Sequence, residues 1–251
     1  MSVADKDSSV EFTKNYISYG DQKIHYQRLP RSESIRRVKI KVYPDCRVEV
    51  AAPMFASDED VKASVELKAR WIFKKIEIFR AQLEGITPRK YVSGETHYYL
   101  GKQYQLKVDV SESVPQGVKL LRGVLRVNVA EKKTSHIKKY LNDWYRIRAR
   151  EVFSKRMDAL LEQTLWVSEK PSIRILAMKT QWGSCSPGGM VTLNPMLVKS
   201  PRDCIDYVIL HELCHIAEHN HGDKFYRLMD QVMPNWEQTK SRLDFMASHY
   251  I

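Results

Sequence analysis

Residues 211–221 of this 251-residue chain read His-Glu-Leu-Cys-His-Ile-Ala-Glu-His-Asn-His. On an α-helix, residues four positions apart project from the same face, about 6 Å apart along the axis. His211 and His215 can therefore bind one metal ion together. Glu212, which follows the first histidine, can reach a metal-bound water without binding the ion. Two helical imidazoles and a neighbouring glutamate are typical of a catalytic zinc site. The stretch predicts hydrolysis in which a zinc-bound water loses its proton to Glu212.

The residues before this stretch predict the helix that it requires. In the segment 200–203, Ser-Pro-Arg-Asp, we expect Ser200 to be the N-cap and Pro201 to take the first helical position. No glycine or proline interrupts residues 202–219. The spacing of apolar residues predicts an amphipathic helix whose histidines face inward. The residues on this predicted inward stripe are Cys204, Val208, His211 and His215.

The expected third ligand is His221, beyond the end of the helix. Three protein ligands leave the fourth position of a tetrahedral zinc open for catalysis. His221 has the spacing of metzincins, but Glu218 stands where those enzymes have a turn-forming glycine. We therefore expect the helix to continue to about His219, with the turn just after it. Two other residues compete for this position. One is His219, which a helix would place about 12 Å along the axis from His211, too far to share one ion. The other is the downstream acid Glu237.

The composition is that of an ordinary globular chain, 43% hydrophobic and 28% charged. No apolar run approaches the roughly 20 residues of a membrane-spanning helix. The N-terminal residues lack the apolar core of a signal peptide. The four cysteines include no Cys-x-x-Cys pair, so we expect reduced thiols in a cytoplasmic protein. The net charge of +11 favours nucleotides or non-specific nucleic-acid contact as partners, and a basic solvated surface explains it equally well.

The order of the predicted elements indicates an α+β fold with a boundary near residue 130. Alternating apolar residues predict strands in the first half, which also contains one long helix from Ser57 to about Leu83. In the second half we expect a long helix over about 135–165, short strands and the metal-site helix. The chain is thus divided into a β-rich region, residues 1–130, and a minimal zincin-like helical metallohydrolase core with a small sheet, residues 131–251. Residues 190–194 are the expected edge strand, to which an extended substrate could add.

Further motifs accompany the histidine stretch. They are Lys179-Thr180-Gln181-Trp182-Gly183-Ser184-Cys185, Leu193-Asn194-Pro195, Asp206-Tyr207-Val208, His219-Asn220-His221, Phe225, Gly94-Glu95 and Tyr99-Leu100-Gly101. Together these segments resemble the YgjP-like metallopeptidase-domain family of bacterial metal-dependent hydrolases, over about residues 24–243. The resemblance implies that the zinc ligands are His211, His215 and His221, with Glu212 catalytic.

The segment around Trp182 is the candidate substrate-binding loop. Trp182 could stack on a base or a side chain, and Ser184 or Cys185 could touch substrate. A tight turn with a packed tryptophan explains the segment equally well. One departure from the family is Cys46, where its turn usually has glycine.

Three functions follow from these features. We expect a zinc-dependent metallohydrolase, and within that class a metallopeptidase acting on peptides or unfolded protein. The first alternative is a metal-dependent nucleoside triphosphate pyrophosphatase, an activity attached to the family. The sequence shows no carboxylate cluster for magnesium, although a triphosphate could bring its own metal. The second alternative is a non-enzymatic zinc-containing nucleic-acid-binding module. It is disfavoured because structural zinc sites usually have four protein ligands and because Glu212 would have no role.

Overall fold

The computed structural model describes residues 14–30, 33, 35–43, 45–83, 89–178, 181–247 and 250. Contacts between Cα atoms divide the chain into two units, Met1–Ile86 and Thr87–Ile251. Both units mix helices and strands, as the expected α+β class requires. None of the helices in the described ranges combines the length and the apolar character needed to cross a membrane.

The first unit contains a four-stranded sheet and two helices. The strands are β1 (Lys14–Tyr19), β2 (Gln22–Arg28), β3 (Lys39–Val42) and β4 (Val48–Ala51), in the order β1-β2-β4-β3. The helices are α1 (Asp58–Leu67) and α2 (Ala69–Leu83). Ser57 begins α1 with a capping box to Asp60. The single helix expected here is therefore two helices, because the chain leaves helical geometry at Lys68, with φ −102° and ψ 6°.

A left-handed residue closes the turn between β3 and β4. Cys46 has a φ of 64°, a conformation that glycine adopts without steric cost. This accounts for the glycine that the family resemblance leads one to expect at this position. The unit's core is formed by apolar residues of the sheet and the two helices, among them Ile17, Ile24, Val48, Val50, Val61, Val65 and Ile72.

The second unit contains two sheets and four α-helices in the part of the chain described. The first sheet contains β5 (Thr96–Tyr99), β6 (Lys102–Val110), β7 (Gly117–Leu121) and β8 (Val124–Val129), in the order β5-β6-β8-β7. The second contains β9 (Ile173–Ile175), β10 (Gly183–Cys185) and β11 (Val191–Leu193), in the order β10-β11-β9. The helices are α3 (Thr134–Leu161), α4 (Arg202–Ala217), α5 (Asp223–Val232) and α6 (Trp236–Ala247), and a 3₁₀ helix spans Pro195–Lys199.

The division of the chain falls at residues 86 and 87, earlier than the boundary expected near residue 130. The physical reason is a shared core. Leu125 and Val127 of β8 are fully buried in the same apolar cluster as Ile137 and Leu141 of α3. Strands β5 to β8 therefore belong with the metal-site helix, even though their composition resembles that of the first unit.

The small sheet differs from the sequence prediction in its edge. Residues 190–194 were expected to form the edge strand, but β11 lies between β10 and β9. The edge strands are β10 and β9, and β10 lies in a segment for which the sequence predicted only a loop or a tight turn. β10 pairs antiparallel with β11, placing Gly183 opposite Leu193 and Cys185 opposite Val191.

Helix α4 is buried on most of its surface, whereas an amphipathic helix with one inward stripe was expected. Its buried residues include Cys204, Ile205, Tyr207, Val208, Ile209, Leu210, Leu213 and Cys214. The helix begins at Arg202 after Pro201, which has no side-chain capping bond, so the expected Ser200 cap is wrong. Arg156 of α3 holds α4 through two hydrogen bonds to Asp206, of 2.6 and 2.8 Å. Such a bidentate pair orients both helices.

The turn between β5 and β6 packs against the start of α4. The backbone N–H groups of Leu100 and Gly101 donate to the carbonyls of Val198 and Lys199, each at 2.9 Å. Gly101 has a φ of +76°, and a Cβ added there would lie 2.8 Å from Cγ of Pro201. Glycine is therefore required by backbone conformation and by space.

We expect Gly101→Ala to reduce the free energy of unfolding by about 1–3 kcal/mol more than Gly123→Ala, because only the former overpacks a contact. Gly123 is a matched control: its φ is +77° and nothing lies within 4 Å of an added Cβ. Chemical denaturation of the two variants measures the difference. Equal losses would contradict the tight contact with Pro201.

Candidate metal centre

The structure brings together the three histidines predicted as ligands. His211 and His215 project from α4, and His221 returns from the segment between α4 and α5. One ring nitrogen of each lies within 4.8 Å of those of the other two. The Nε2 atoms of His211 and His221 are 3.0 Å apart. Three imidazoles converging in this way can hold one metal ion.

The way α4 ends explains how His221 reaches the other two. The helix stops at Ala217 rather than at His219, because Glu218 is extended, with φ −131° and ψ 101°. The carbonyl of Glu218 lies 3.1 Å from Nδ1 of His215. A proton on Nδ1 would donate to this carbonyl and leave Nε2 available to a cation. Glu218 thus ends the helix and orients the ring of His215.

Aromatic rings pack against the histidines, and the sequence motifs include Phe225 but neither Tyr226 nor Trp236. The ring of Phe225 lies 4.9 Å from that of His211 and 4.7 Å from those of His215 and His221. Tyr226 stacks on His221 at 6.4 Å, and Trp236 stacks on Tyr226 at 5.4 Å. The sequence signal for Tyr226 is its place beside Phe225 at the start of α5. Trp236 has no local signal, since it belongs to α6.

Burial favours the uncharged form of two of the imidazoles, those of His211 and His221. The pKa of His211 falls to about 3, chiefly because burial disfavours its charged form and secondly because of His215 and His221. Burial also lowers the pKa of His221, with a further contribution from His215. Neutral imidazole is the form that binds metals. His211 and His221 therefore need no deprotonation near neutral pH before they accept a cation.

Glu212 is almost completely buried, at 5% exposure. Burial raises the pKa of its carboxyl to about 8, against a smaller lowering by a hydrogen bond from the backbone of Cys185. A divalent cation beside it would favour the ionised form, because opposite charge lowers a carboxyl pKa. Glu212 is next to His211 in sequence and lines the same cavity as the three histidines.

The histidine group suits a transition metal such as zinc. Imidazole nitrogen is a preferred zinc ligand, and three protein ligands with one open side are typical of catalytic rather than structural sites. The open side faces a cavity of about 340 Å³. Besides the three histidines and Glu212, the cavity is lined by Gln181, Gly183, Ser184, Cys185, Pro187 and His219.

The remaining candidate residues have separate positions. His219 lines the cavity but is not a member of the histidine group. Glu237 lines a second cavity with Tyr226 and Trp236. Ser184 and Cys185 line the histidine cavity. By contrast, Trp182 packs against the hydrophobic core and makes an edge contact with Tyr250 at 6.5 Å. Substrate contact by Trp182, Ser184 and Cys185 stays a prediction, and Lys179 and Thr180 lie outside the described residues.

Comparison with known proteins identifies one family, and the solved structures that match include two metallopeptidase zymogens. The family described as YgjP-like, metallopeptidase domain, matches residues 36–245. The metallopeptidase zymogen of Pyrococcus abyssi abylysin is 22% identical, with a TM-score of 0.32, and the match covers 39% of this chain and 92% of that chain. For the zymogen of Methanocaldococcus jannaschii jannalysin the values are 24%, 0.31, 38% and 93%. The search of curated proteins gave no match.

We expect His221→Ala to lower zinc affinity by at least about 100-fold, more than the loss of a residue that only supports a ligand. His219→Ala is the matched control. It removes an exposed imidazole from the same cavity but not from the histidine group, so its affinity should stay within about threefold of the wild-type value. Competition with a chromophoric chelator measures both. A larger loss in His219→Ala than in His221→Ala would reverse the assignment.

Proposed function

The chain belongs to the YgjP-like metallopeptidase-domain family, and from this premise we propose that it is a zinc-dependent peptidase with Glu212 as its general base. The family makes it a hydrolase of the metallopeptidase type. The observation that carries the finer proposal is the geometry of one cavity. His211, His215 and His221 converge within 4.8 Å, and the buried carboxyl of Glu212 lines the same space.

The proposed roles divide between the ion and the chain. His211, His215 and His221 would hold the zinc, which when bound supplies Lewis-acid polarisation and a water of lowered pKa. Glu212 accepts the proton of the attacking water, and its buried position keeps bulk water from competing for that proton. The same carboxyl can then return the proton to the leaving amine. Neutral His211 and His221 need no charge compensation within the apolar surroundings of α4.

We place the peptide along strand β10. It is one of the two edge strands of its sheet, and its residues line the histidine cavity. On either side of β10, the carbonyl of Trp182 accepts a hydrogen bond from the Asn194 N–H, and the N–H of Ser186 donates to the Met190 carbonyl. Both residues therefore direct their hydrogen bonds towards the β11 side of the sheet. Alternation in an antiparallel ladder turns the backbone of Gly183 outward. An extended peptide could pair there, close to Glu212.

Peptide is the substrate that the family supports, and nucleotide or nucleic acid gains no support from the site. Among the described residues, the one group of three or more potential metal ligands is that of His211, His215 and His221. It contains none of the carboxylates that typically bind magnesium with a triphosphate. The cytoplasmic location expected from the sequence stays a prediction.

The decisive variant is Glu212→Gln, which keeps the size of the side chain and removes the base. We expect bound zinc to be retained and cleavage of a peptide library or unfolded casein to fall at least about 100-fold, the usual contribution of a general base. Glu237→Gln is the matched control, because this exposed glutamate lines a different cavity, and it should cleave at the wild-type rate.

A nucleoside triphosphate panel run beside the peptide assay separates the two hydrolytic functions. Peptide cleavage that persists in Glu212→Gln would refute the proposed mechanism. Triphosphate hydrolysis that is lost in this variant while peptides are never cleaved would assign the site to phosphoanhydride chemistry.

A further inference from the structure

Strand β10 touches α4 where the side chain of Glu212 lies. A Cβ added to Gly183 would meet three atoms of that side chain, Oε1 at 2.6 Å, Cγ at 2.8 Å and Cδ at 3.0 Å. Separations this short are repulsive, because carbon atoms in contact are normally about 3.5–4.0 Å apart. Glu212 therefore occupies space that any other residue at position 183 would take.

Backbone conformation does not explain this glycine. Six of the described glycines have positive φ, where glycine is favoured whatever the surrounding space: Gly20, Gly94, Gly101, Gly117, Gly123 and Gly189. Gly183 is not among them, and neither are Gly188 and Gly222. At Gly188 the nearest atom to an added Cβ is 4.0 Å away, and at Gly222 nothing lies within 4 Å. Of the described glycines with ordinary φ, Gly183 alone meets a steric conflict.

The other residue of β10 that faces Glu212 contributes its backbone. The backbone N–H of Cys185 interacts with the carboxyl of Glu212 and lowers its pKa. Two residues further along than Gly183, it lies on the same side of the pleated strand. One residue thus leaves room for the side chain of Glu212, and the other directs its oxygen atoms. Both act through the backbone of a strand whose inner edge is held by β11.

We propose that strand β10 fixes the orientation of the Glu212 side chain. Gly183 is then a positioning residue, required for the orientation of the base. The role assigned to Glu212 rests on the proposed function, whereas the contact itself does not. The proposal also gives β10 two tasks. The strand that orients the base is also the one along which we place the peptide. The same strand would therefore position both the base and the scissile bond.

A cycle of four proteins tests the contact without any assay of activity: wild type, Gly183→Ala, Glu212→Ala and the double variant. We expect Gly183→Ala to lower the melting temperature of the metal-free protein by roughly 4 °C or more, as overpacking does. In the Glu212→Ala background the same change should cost less than about 1 °C, because the three clashing atoms are gone. Non-additivity of this kind measures the coupling between neighbours.

Gly188→Ala is the matched control, since it adds the same methyl group where space is open. It should shift the melting temperature equally in both backgrounds. Equal shifts for Gly183→Ala in both backgrounds, or none in either, would overturn the proposal. If Gly183→Ala alone does not fold, recovery of folding in the double variant supports the positioning role of Gly183. Failure of the double variant to fold refutes that role.

The kinetic consequence is tested on the zinc-loaded protein. We expect Gly183→Ala to lower kcat for a peptide by about 100-fold, the effect of displacing a reacting group by about 1 Å. KM and bound zinc should stay at their wild-type values. A rise in KM with unchanged kcat would place Gly183 in substrate binding instead. If the wild type cleaves no peptide, the proposed function fails while the stability cycle still decides the contact.

Discussion

The burial of helix α4 is the constraint on which the second unit depends. A helix that is apolar on most faces must be covered on most faces, because it has no polar side to turn towards water. Helix α3 covers it and holds it through Arg156 and Asp206, while β10, α5 and α6 also contact it. The remaining open side carries His211 and His215. The location of the histidine cavity is thus a consequence of how the other faces are covered.

The periodicity of apolar residues predicts those helices and strands whose formation depends mainly on residues close in sequence. Helices α3 and α4 lie close to the ranges expected for them, and strands β3 to β8 lie in the first half of the chain, where alternating apolar residues predicted strands. The three residues of β10 are too few to show alternation, and the strand exists because β11 pairs with it. The expected boundary near residue 130 differs from the division by contacts at residue 86 because composition does not report long-range packing. The composition of β8 says nothing of its packing against α3.

The same division applies to the site. The spacing of His211, Glu212 and His215 is a helical property and could be read directly, whereas the position of His221 depends on contacts made by later residues. Glu218 ends α4 two residues before the expected position, and no residue type at 218 signals this. The contact of Gly183 with Glu212 joins residues 29 positions apart. Sequence periodicity cannot predict such a contact. It follows only from the three-dimensional position of Gly183, where a Cβ would overlap the side chain of Glu212.

The shortness of β10 has a consequence for how a peptidase of this design would choose its targets. Three residues of strand span about 10 Å, and the few backbone hydrogen bonds they offer are each worth only about 1 kcal/mol net. Pairing this weak cannot pull a segment out of a folded domain, whose opening costs up to the full stability of that domain. Turnover would then follow the fraction of time that a segment spends detached from its own protein. The rate at which a target protein is cleaved would then depend on the stability of the cleaved segment more than on its amino-acid sequence.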